Sequence, residues 1–448
     1  MHERTQRAIA RLMFVFCCAV PTAFTIVCVL VTWTPWYHQR TLRAIEAGLS
    51  KETGLVVEIE DFQRSAPSML RLYDVRVLEP ENRHEVARVR ELQWVSGSDE
   101  VSILLHQPEL QSSQLANAWK LIHDRFLCRP EQTSLPVQVA GNDLTIHSRT
   151  GALTLRDVDA WIHSDEDSVE ATIQCLPAIS QSDSPIDITV RRDRSGTLPV
   201  TQWLLDTHRT PLPCSALAEY LPMLESLGSD AMFSGTMRWQ LEPSDWWIDL
   251  GGSQFEHVSL DRLFEQHAQR LSGTARIRLE RCRIEPHNRK SDIAGSIRAQ
   301  NGLIARSLLV SVNQHLGFDV RVPNDLLEAR GDVPYDRIAM GFVVNNTQLQ
   351  LDGICRQEVG YESFPPGVVL CLDGYALVRS ADKTLDALAL ITAIAPSHSV
   401  LVPLSNQTNW LTKVFIPPSR PLPRDEGYPP RIRAAEIWQG GPTIGQPR

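Results

Sequence analysis

The sequence predicts a mainly β protein with a few short helices: a single N-terminal transmembrane helix, an elongated antiparallel β-sheet of repeating hairpins with a groove-like face, and a Pro-rich C-terminal tail. Three observations predict it. An uncharged run extends from Leu12 to Tyr37, a two-residue alternation of apolar and polar side chains dominates from Leu55 onward, and one ten-residue segment occurs twice.

The uncharged run comes first. At about 1.5 Å of rise per residue, Leu12 to Trp33 covers the roughly 30 Å hydrocarbon core of a bilayer. Pro21, Thr22 and Thr25 interrupt the run, which a membrane helix tolerates. Trp33, Trp36 and Tyr37 fit an aromatic belt at the far interface. Arg4, Arg7 and Arg11 precede the run, so the positive-inside rule places residues 1–11 in the cytoplasm; Arg40 and Arg43 weaken that asymmetry without reversing it. A cleaved signal peptide is the competing reading, but only Thr34-Pro35-Trp36 comes after the run, with no A-x-A-like site. Residues 12–37 therefore read as a signal anchor. The best later apolar stretch, Leu385 to Pro396, is too short to span. The expected location is the inner membrane, single-pass, with the bulk of the chain on the periplasmic side.

Thr41 to Ser50 reads as a short juxtamembrane helix ended by Thr53-Gly54. Alternation then takes over. Leu55, Val57 and Ile59 share a face, as do Tyr73, Val75 and Val77. So do Val169, Ala171, Ile173 and Cys175; Ile186, Ile188 and Val190; and Ala275, Ile277 and Leu279. One apolar and one wet face is the signature of half-buried antiparallel strands. Helices are expected over about Ser113–Leu127, Pro213–Leu227, Leu260–Arg270 and Ala381–Ala393.

The repetition is internal. Residues 233–242 read FSGTMRWQLE and residues 271–280 read LSGTARIRLE, identical at six of ten positions. A looser pattern, apolar-x-x-Val-x-apolar, occurs as Leu72 to Val77, Leu155 to Ala160 and Phe255 to Leu260. Together they favour stacked hairpin units. From Pro417 to Arg448, eight prolines with glycines and charges preclude a packed core, so residues 417–448 read as an extended tail.

Composition narrows the function. With 43% hydrophobic and 22% charged residues the chain is globular in character, and a net charge of -9 with no basic cluster argues against nucleic acid as a partner. Cys17, Cys18 and Cys28 lie in the apolar run; Cys128, Cys175, Cys214, Cys282, Cys355 and Cys371 are scattered without C-x-x-C spacing, which argues against zinc. In an oxidising compartment some of these six pair, but spacing does not say which; buried free thiols are the simpler expectation. Arg88 stands where His84-Glu85 would need a second histidine, and Asp165-Glu166-Asp167 lacks the spaced oxygens and turn glycine of a calcium loop. Asp245-Trp246-Trp247 offers either a glycan or membrane contact or, more simply, strand packing. No catalytic residue, metal site or cofactor is expected.

The order of features at the start resembles AsmA-like envelope proteins. The residues that carry the resemblance are LSKETGLVVEIEDFQ with Thr53-Gly54, RLYDVRVLEP from Leu72 to Val77, EVARVRELQWV, and the apolar strand Val101 to Leu110. Val77 stands in place of that family's leucine, and Glu109 separates Pro108 from Leu110. The likeness covers about residues 10–125. It implies an AsmA-like N-terminal β region over 38–130, a repeating hairpin region over 131–416, and a sheet whose apolar groove contacts or moves phospholipid for outer-membrane upkeep. Membrane lipid, with other envelope proteins, is then the expected partner. Val75, Val77, Ile173, Ile188, Ile277 and Leu279 are the groove candidates. The competing expectation is an anchored scaffold with a filled β core that acts through protein contacts.

Overall fold

The computed structural model describes residues 12–394 except 33, 67, 129–134, 180–183, 220, 243–244, 266–268, 287, 289 and 324–330. Residues 1–11, Trp33 and the Pro-rich segment 417–448 lie outside the described residues.

Leu12–Leu30 is helical, long and apolar enough to cross a membrane, and none of it is buried inside the protein. Pro21 lacks an amide hydrogen, so an α-helical ladder is broken one turn before it. The chain accommodates this with a π-helical stretch, Val15–Ala19, where the Val20 amide donates five residues back to Val15. The Thr25 hydroxyl donates to the Pro21 carbonyl at 2.7 Å, which satisfies a polar side chain inside the apolar run.

A second helix, Pro35–Thr53, comes immediately after. Thr34 caps it, accepting from the Tyr37 amide, and Gly54 at φ 72° closes it with its amide on the Ser50 carbonyl. The helix is longer than the expected Thr41–Ser50, so Trp36 and Tyr37 sit on its first turn rather than on the spanning helix. Its Leu42, Ile45 and Leu49 pack on Val57, Ile59, Leu72, Val75 and Val89. Glu46 and Ser50 accept the Ile59 and Val57 amides at 3.0 and 2.9 Å. The helix thereby fastens the apolar N-terminal helix to the first edge of the sheet.

The sheet begins with β1 (Val56–Glu58) and β2 (Asp61–Ala66), both paired to β3 (Met69–Leu78). Next in spatial and chain order come β4 (Glu85–Ser96), β5 (Val101–Gln111), β6 (Val137–Ser148), β7 (Gly151–Ser164), β8 (Ser168–Pro177), β9 (Ile186–Asp193) and β10 (Val200–Asp206). It continues through β11 (Leu212–Pro213), β12 (Met232–Ser234), β13 (Thr236–Leu241), β14 (Trp246–Asp249) and β15 (Gln254–Ser259) to β16 (Thr274–Glu285), β17 (Lys290–Ile304) and β19 (Val333–Asn345). Beyond these lie β20 (Gln348–Gly353), β21 (Val368–Leu372), β22 (Tyr375–Arg379) and the short β18 (Asp319–Val320) and β23 (Thr384–Asp386).

The pairing is antiparallel throughout except for β5 and β6, which run parallel. Parallel neighbours require a crossover, and the helical segment Ser112–Leu127 supplies it. Three other expected helices are corrected. Pro213–Leu227 forms two 3₁₀ turns, Cys214–Leu217 and Pro222–Leu227; Leu260–Phe264 is a short α-helix; and Ala381–Ala393 divides into β23 and the helix Ala387–Ile394. Arg306–Leu316, which alternation did not mark, is helical and buries Leu308, Leu309 and Leu316 in the largest core cluster.

Both sequence repeats have a backbone cause. In the tighter one, Gly235 and Gly273 take φ of 128° and 122°, and a Cβ on either would lie 2.6 Å from Ser253 Cα or the Tyr335 hydroxyl. Only glycine fits both demands. In the looser one, Asp74, Asp157 and His257, each in the third position, have φ of 47°, 49° and 55°. These are left-handed residues inside strands; at Asp157 and His257 the register slips by one. The kink brings residues three apart onto one face, so Leu72 and Val75 are both buried. Tyr73 consequently points to the opposite face from Val75 and Val77, against the simple alternation.

Candidate functional site

Register places an apolar row across the sheet on its core face. Leu70 pairs with Trp94, Trp94 with Ile103, Ile103 with Val139, Val139 with Ala160, Ala160 with Ile173, Ile173 with Ile188, Ile188 with Leu205, and Leu205 with Met237. Directly paired residues project to the same side, so these nine form a lane perpendicular to the strands. At about 4.8 Å per strand it runs roughly 38 Å. Leu205 is buried at 8%, while the other eight are half-buried.

The lane is half-buried because its covers stand on either side. Along one flank, Trp119, Ile122 and Leu127 of the crossover helix press on Ile162, Val169, Ala171 and Val190. The Trp119 and Trp203 rings meet there at 3.9 Å between centroids. Along the other, Cys214, Ala216 and Leu224 of the 3₁₀ turns cover Ile146, Leu155, Cys175 and Ile186. Beside this second cover, an apolar-walled hollow of about 480 Å³ opens between Leu153, Ile179, Pro213, Ala216 and Met232.

Among the six groove candidates, Ile173 and Ile188 lie in the lane as direct partners. Ile277 lies in a continuing row, Phe233–Phe255–Ile277–Ile297–Met340, joined to the lane through the cluster that holds Leu205 and Phe233. Val75 is buried beneath the juxtamembrane helix, and Val77 is half-buried further along the same face. Leu279 is buried at 8% and pairs with Gly295, over which the Phe342 ring packs; a Cβ there would lie 2.9 Å from Phe342 Cζ. Periodicity missed Leu70, Trp94, Ile103, Val139, Ala160, Leu205 and Met237, because only strand register reveals that they line up. Of the aromatics expected at the interface, Trp36 is 63% exposed with the Arg40 guanidinium 5.4 Å over its ring, and Tyr37 is 40% exposed.

No protein-family model, curated protein or solved structure matches this chain.

The wet face has its own feature where the kinked residues align. Asp74, Arg90 and Gln107 stand level across β3, β4 and β5. They line two adjoining shallow hollows of about 530 and 540 Å³, with Tyr73 in both, Glu60, Arg88 and Glu109 in one, and Glu91, His106 and Asp143 in the other. Asp74 meets Arg88 at 2.6 Å and Arg76 at 2.8 Å; Arg90 donates to Gln107 at 3.0 Å. Burial opposes the Asp74 charge, but bonds from Arg88 and then Arg76 hold its carboxyl below the usual range. These charges are spent on one another, and they act as a brace across the kink. Among the described residues, no three His, Cys, Asp or Glu side chains are placed to hold a metal ion.

Proposed function

We propose that this chain is a membrane-anchored, non-enzymatic envelope protein that holds or moves lipid acyl chains along the apolar lane of its sheet. In this reading the anchor sits in the inner membrane, the sheet lies on the periplasmic side, and the activity serves outer-membrane upkeep. The reading includes the AsmA-like resemblance of the N-terminal region. It rests chiefly on the half-buried row from Leu70 to Met237. Eight of these nine aligned apolar side chains are part-open, which is costly unless something apolar occupies them. An acyl chain regains about 0.8 kcal/mol for each methylene it buries there. The lane starts beside the juxtamembrane helix, so it begins close to the bilayer that would supply the lipid.

The full-length protein, extracted in mild detergent and analysed by native mass spectrometry with lipid extraction, is the test. Co-purifying phospholipid that disappears in a folded Ile173→Asp, Ile188→Asp variant supports the proposal. A wild-type protein that retains and binds no phospholipid overturns it.

The second reading, an anchored scaffold acting on other envelope proteins, is favoured by a different observation. Over the C-terminal third, Leu308, Leu309 and Leu316 with Ala387 and Ala393 fill the apolar face of β17 to β22. In that part helices cover much of the sheet's apolar face. Proximity crosslinking in membranes separates the two: a stoichiometric protein partner without bound lipid favours the scaffold.

A further inference from the structure

Six cysteines lie beyond the anchor, and the structure brings two of them together. Cys355 opens the 3₁₀ turn Cys355–Gln357, and Cys371 lies on β21. Both descend onto the same stretch of β19. Cys371 pairs with Arg337, and its thiol lies 3.7 Å from the Arg337 carbonyl. The Ile354 amide, just before Cys355, donates to the Ala339 carbonyl at 3.0 Å. Cys355, Cys371 and Ala339, each at 0% exposure, form one small core with Val368 at 1%.

Here the two cysteines share one small core, and the ionisation of each depends on the other. Cys371 is the easier to ionise: the Cys355 thiol bonds to it, and the positive Arg337 guanidinium offsets part of the cost of burial. Cys355 is correspondingly hard to ionise, through its bond to Cys371 and then its burial. The other three buried cysteines, Cys175, Cys214 and Cys282, are pushed up to about 11, 12 and 11, with burial as the leading cause in each. They behave as inert packing residues.

The segment between the paired cysteines is a strap over the sheet. It turns through hydrogen bonds from Gln357 to Ile354, Tyr361 to Glu358 and Phe364 to Tyr361. Glu358 pins it, accepting from Arg298 at 2.7 Å and facing Arg337 at 3.4 Å. Nothing covalent holds the strap in the reduced chain.

We propose that Cys355 and Cys371 close as a disulfide when the sheet folds outside the cytoplasm, tying the two ends of the strap 356–370 together where it crosses β19. This rests on the periplasmic placement of the sheet. The oxidant is a protein disulfide of the thiol-oxidase class. The thiolate of one of the two cysteines attacks one of its sulfurs, breaking that S–S bond and releasing one thiol. The other cysteine then loses its proton and displaces the second thiol from the mixed disulfide. The chain gives up two electrons and two protons, and the oxidant becomes a dithiol. Both residues are fully enclosed in the finished fold, so the exchange occurs before the strap docks.

The test uses the full chain in its native membrane. Thiol exchange is quenched with acid, free thiols are then blocked with N-ethylmaleimide in denaturant at neutral pH, and the digest is analysed without reduction. The expected result is one linked peptide pair carrying Cys355 and Cys371, lighter by two hydrogens, while Cys175, Cys214 and Cys282 carry the label. Reduction before blocking should add the label to Cys355 and Cys371. In parallel, protease added from outside the membrane reports which side the sheet occupies. A sheet digested from outside with Cys355 and Cys371 both labelled overturns the disulfide alone. A protected sheet overturns the periplasmic placement, and the disulfide falls with it. A Cys355→Ala, Cys371→Ala variant should unfold several degrees lower than the oxidised wild type and close to the reduced one, since a loop of this size gains appreciably from closure.

Discussion

Ile173 on β8 and Ile188 on β9 face one another directly across the sheet, half-buried, with a covered core row on each side of them. Two residues along each strand, Ala171 and Val190 are buried under the crossover helix; in the other direction Cys175 and Ile186 are buried under the 3₁₀ turns. The pair belongs to a lane that the fold leaves open between two lids.

Ala160, the partner of Ile173 on β7, is the smallest side chain in that lane. Ala160→Phe adds apolar bulk where there is space, so the thermal midpoint should stay within a few degrees of wild type. Retained phospholipid, measured by extraction and mass spectrometry, should fall several-fold. Unchanged lipid content in the folded variant would show that the lane carries none.

Gly235 and Gly273 hold equivalent places in the two copies of the ten-residue repeat, each with φ above 120° and a neighbour 2.6 Å from where a Cβ would stand. Gly235→Ala and Gly273→Ala should each cost about 1–3 kcal/mol from backbone strain, and more from the contact. Gly196→Ala, at a site with ordinary space and no positive φ, should stay within about 0.5 kcal/mol of wild type. Chemical denaturation of the three variants checks the contrast.

Acid should act on the brace at Asp74. Its folded carboxyl titrates below the unfolded one, so the brace contributes fully above about pH 4 and is lost as pH falls through the folded value. Asp74→Asn keeps a residue that tolerates the left-handed backbone but removes the charge. The variant should melt a few degrees below wild type at neutral pH, and the two curves should converge in strong acid. Parallel curves at all pH values would show that the Asp74 charge contributes nothing.

His208 should report in the opposite direction. Its ring bonds to Asp187 at 2.7 Å, which raises its pKa ahead of the opposing effect of burial; Asp206 adds to the rise. A raised histidine stabilises below its unfolded pKa of about 6.5, and the contribution is lost as pH rises through the folded value. In Asp187→Asn, the His208 resonance followed by NMR should titrate back toward the ordinary range. No change on that substitution would contradict the pairing.

Some of this was legible in the residues alone because it depends only on near neighbours in the chain. An uncharged run from Leu12 onward makes a helix long and apolar enough to cross a membrane, since its length and apolarity are local properties. Alternation at Val169, Ala171 and Cys175, or at Ala275 and Leu279, similarly declares a strand with one core face. The repeated Ser-Gly-Thr was visible as repetition, and its conformational reason lies within the glycine itself.

Tertiary structure decided the rest. A single left-handed residue, Asp74, turns Tyr73 to the wet face while Leu72 and Val75 stay in the core, because a side-chain period of two has no tolerance for a kink. The parallel β5–β6 junction depends on a helix that spans it, and the alignment of Leu70 with Met237 depends on the register of nine strands at once. The meeting of Cys355 with Cys371 depends on where a strap crosses β19. None of these distances is encoded by spacing along the chain; each is set by hydrogen-bonded pairing between residues far apart in sequence, and so appears only when the sheet is assembled.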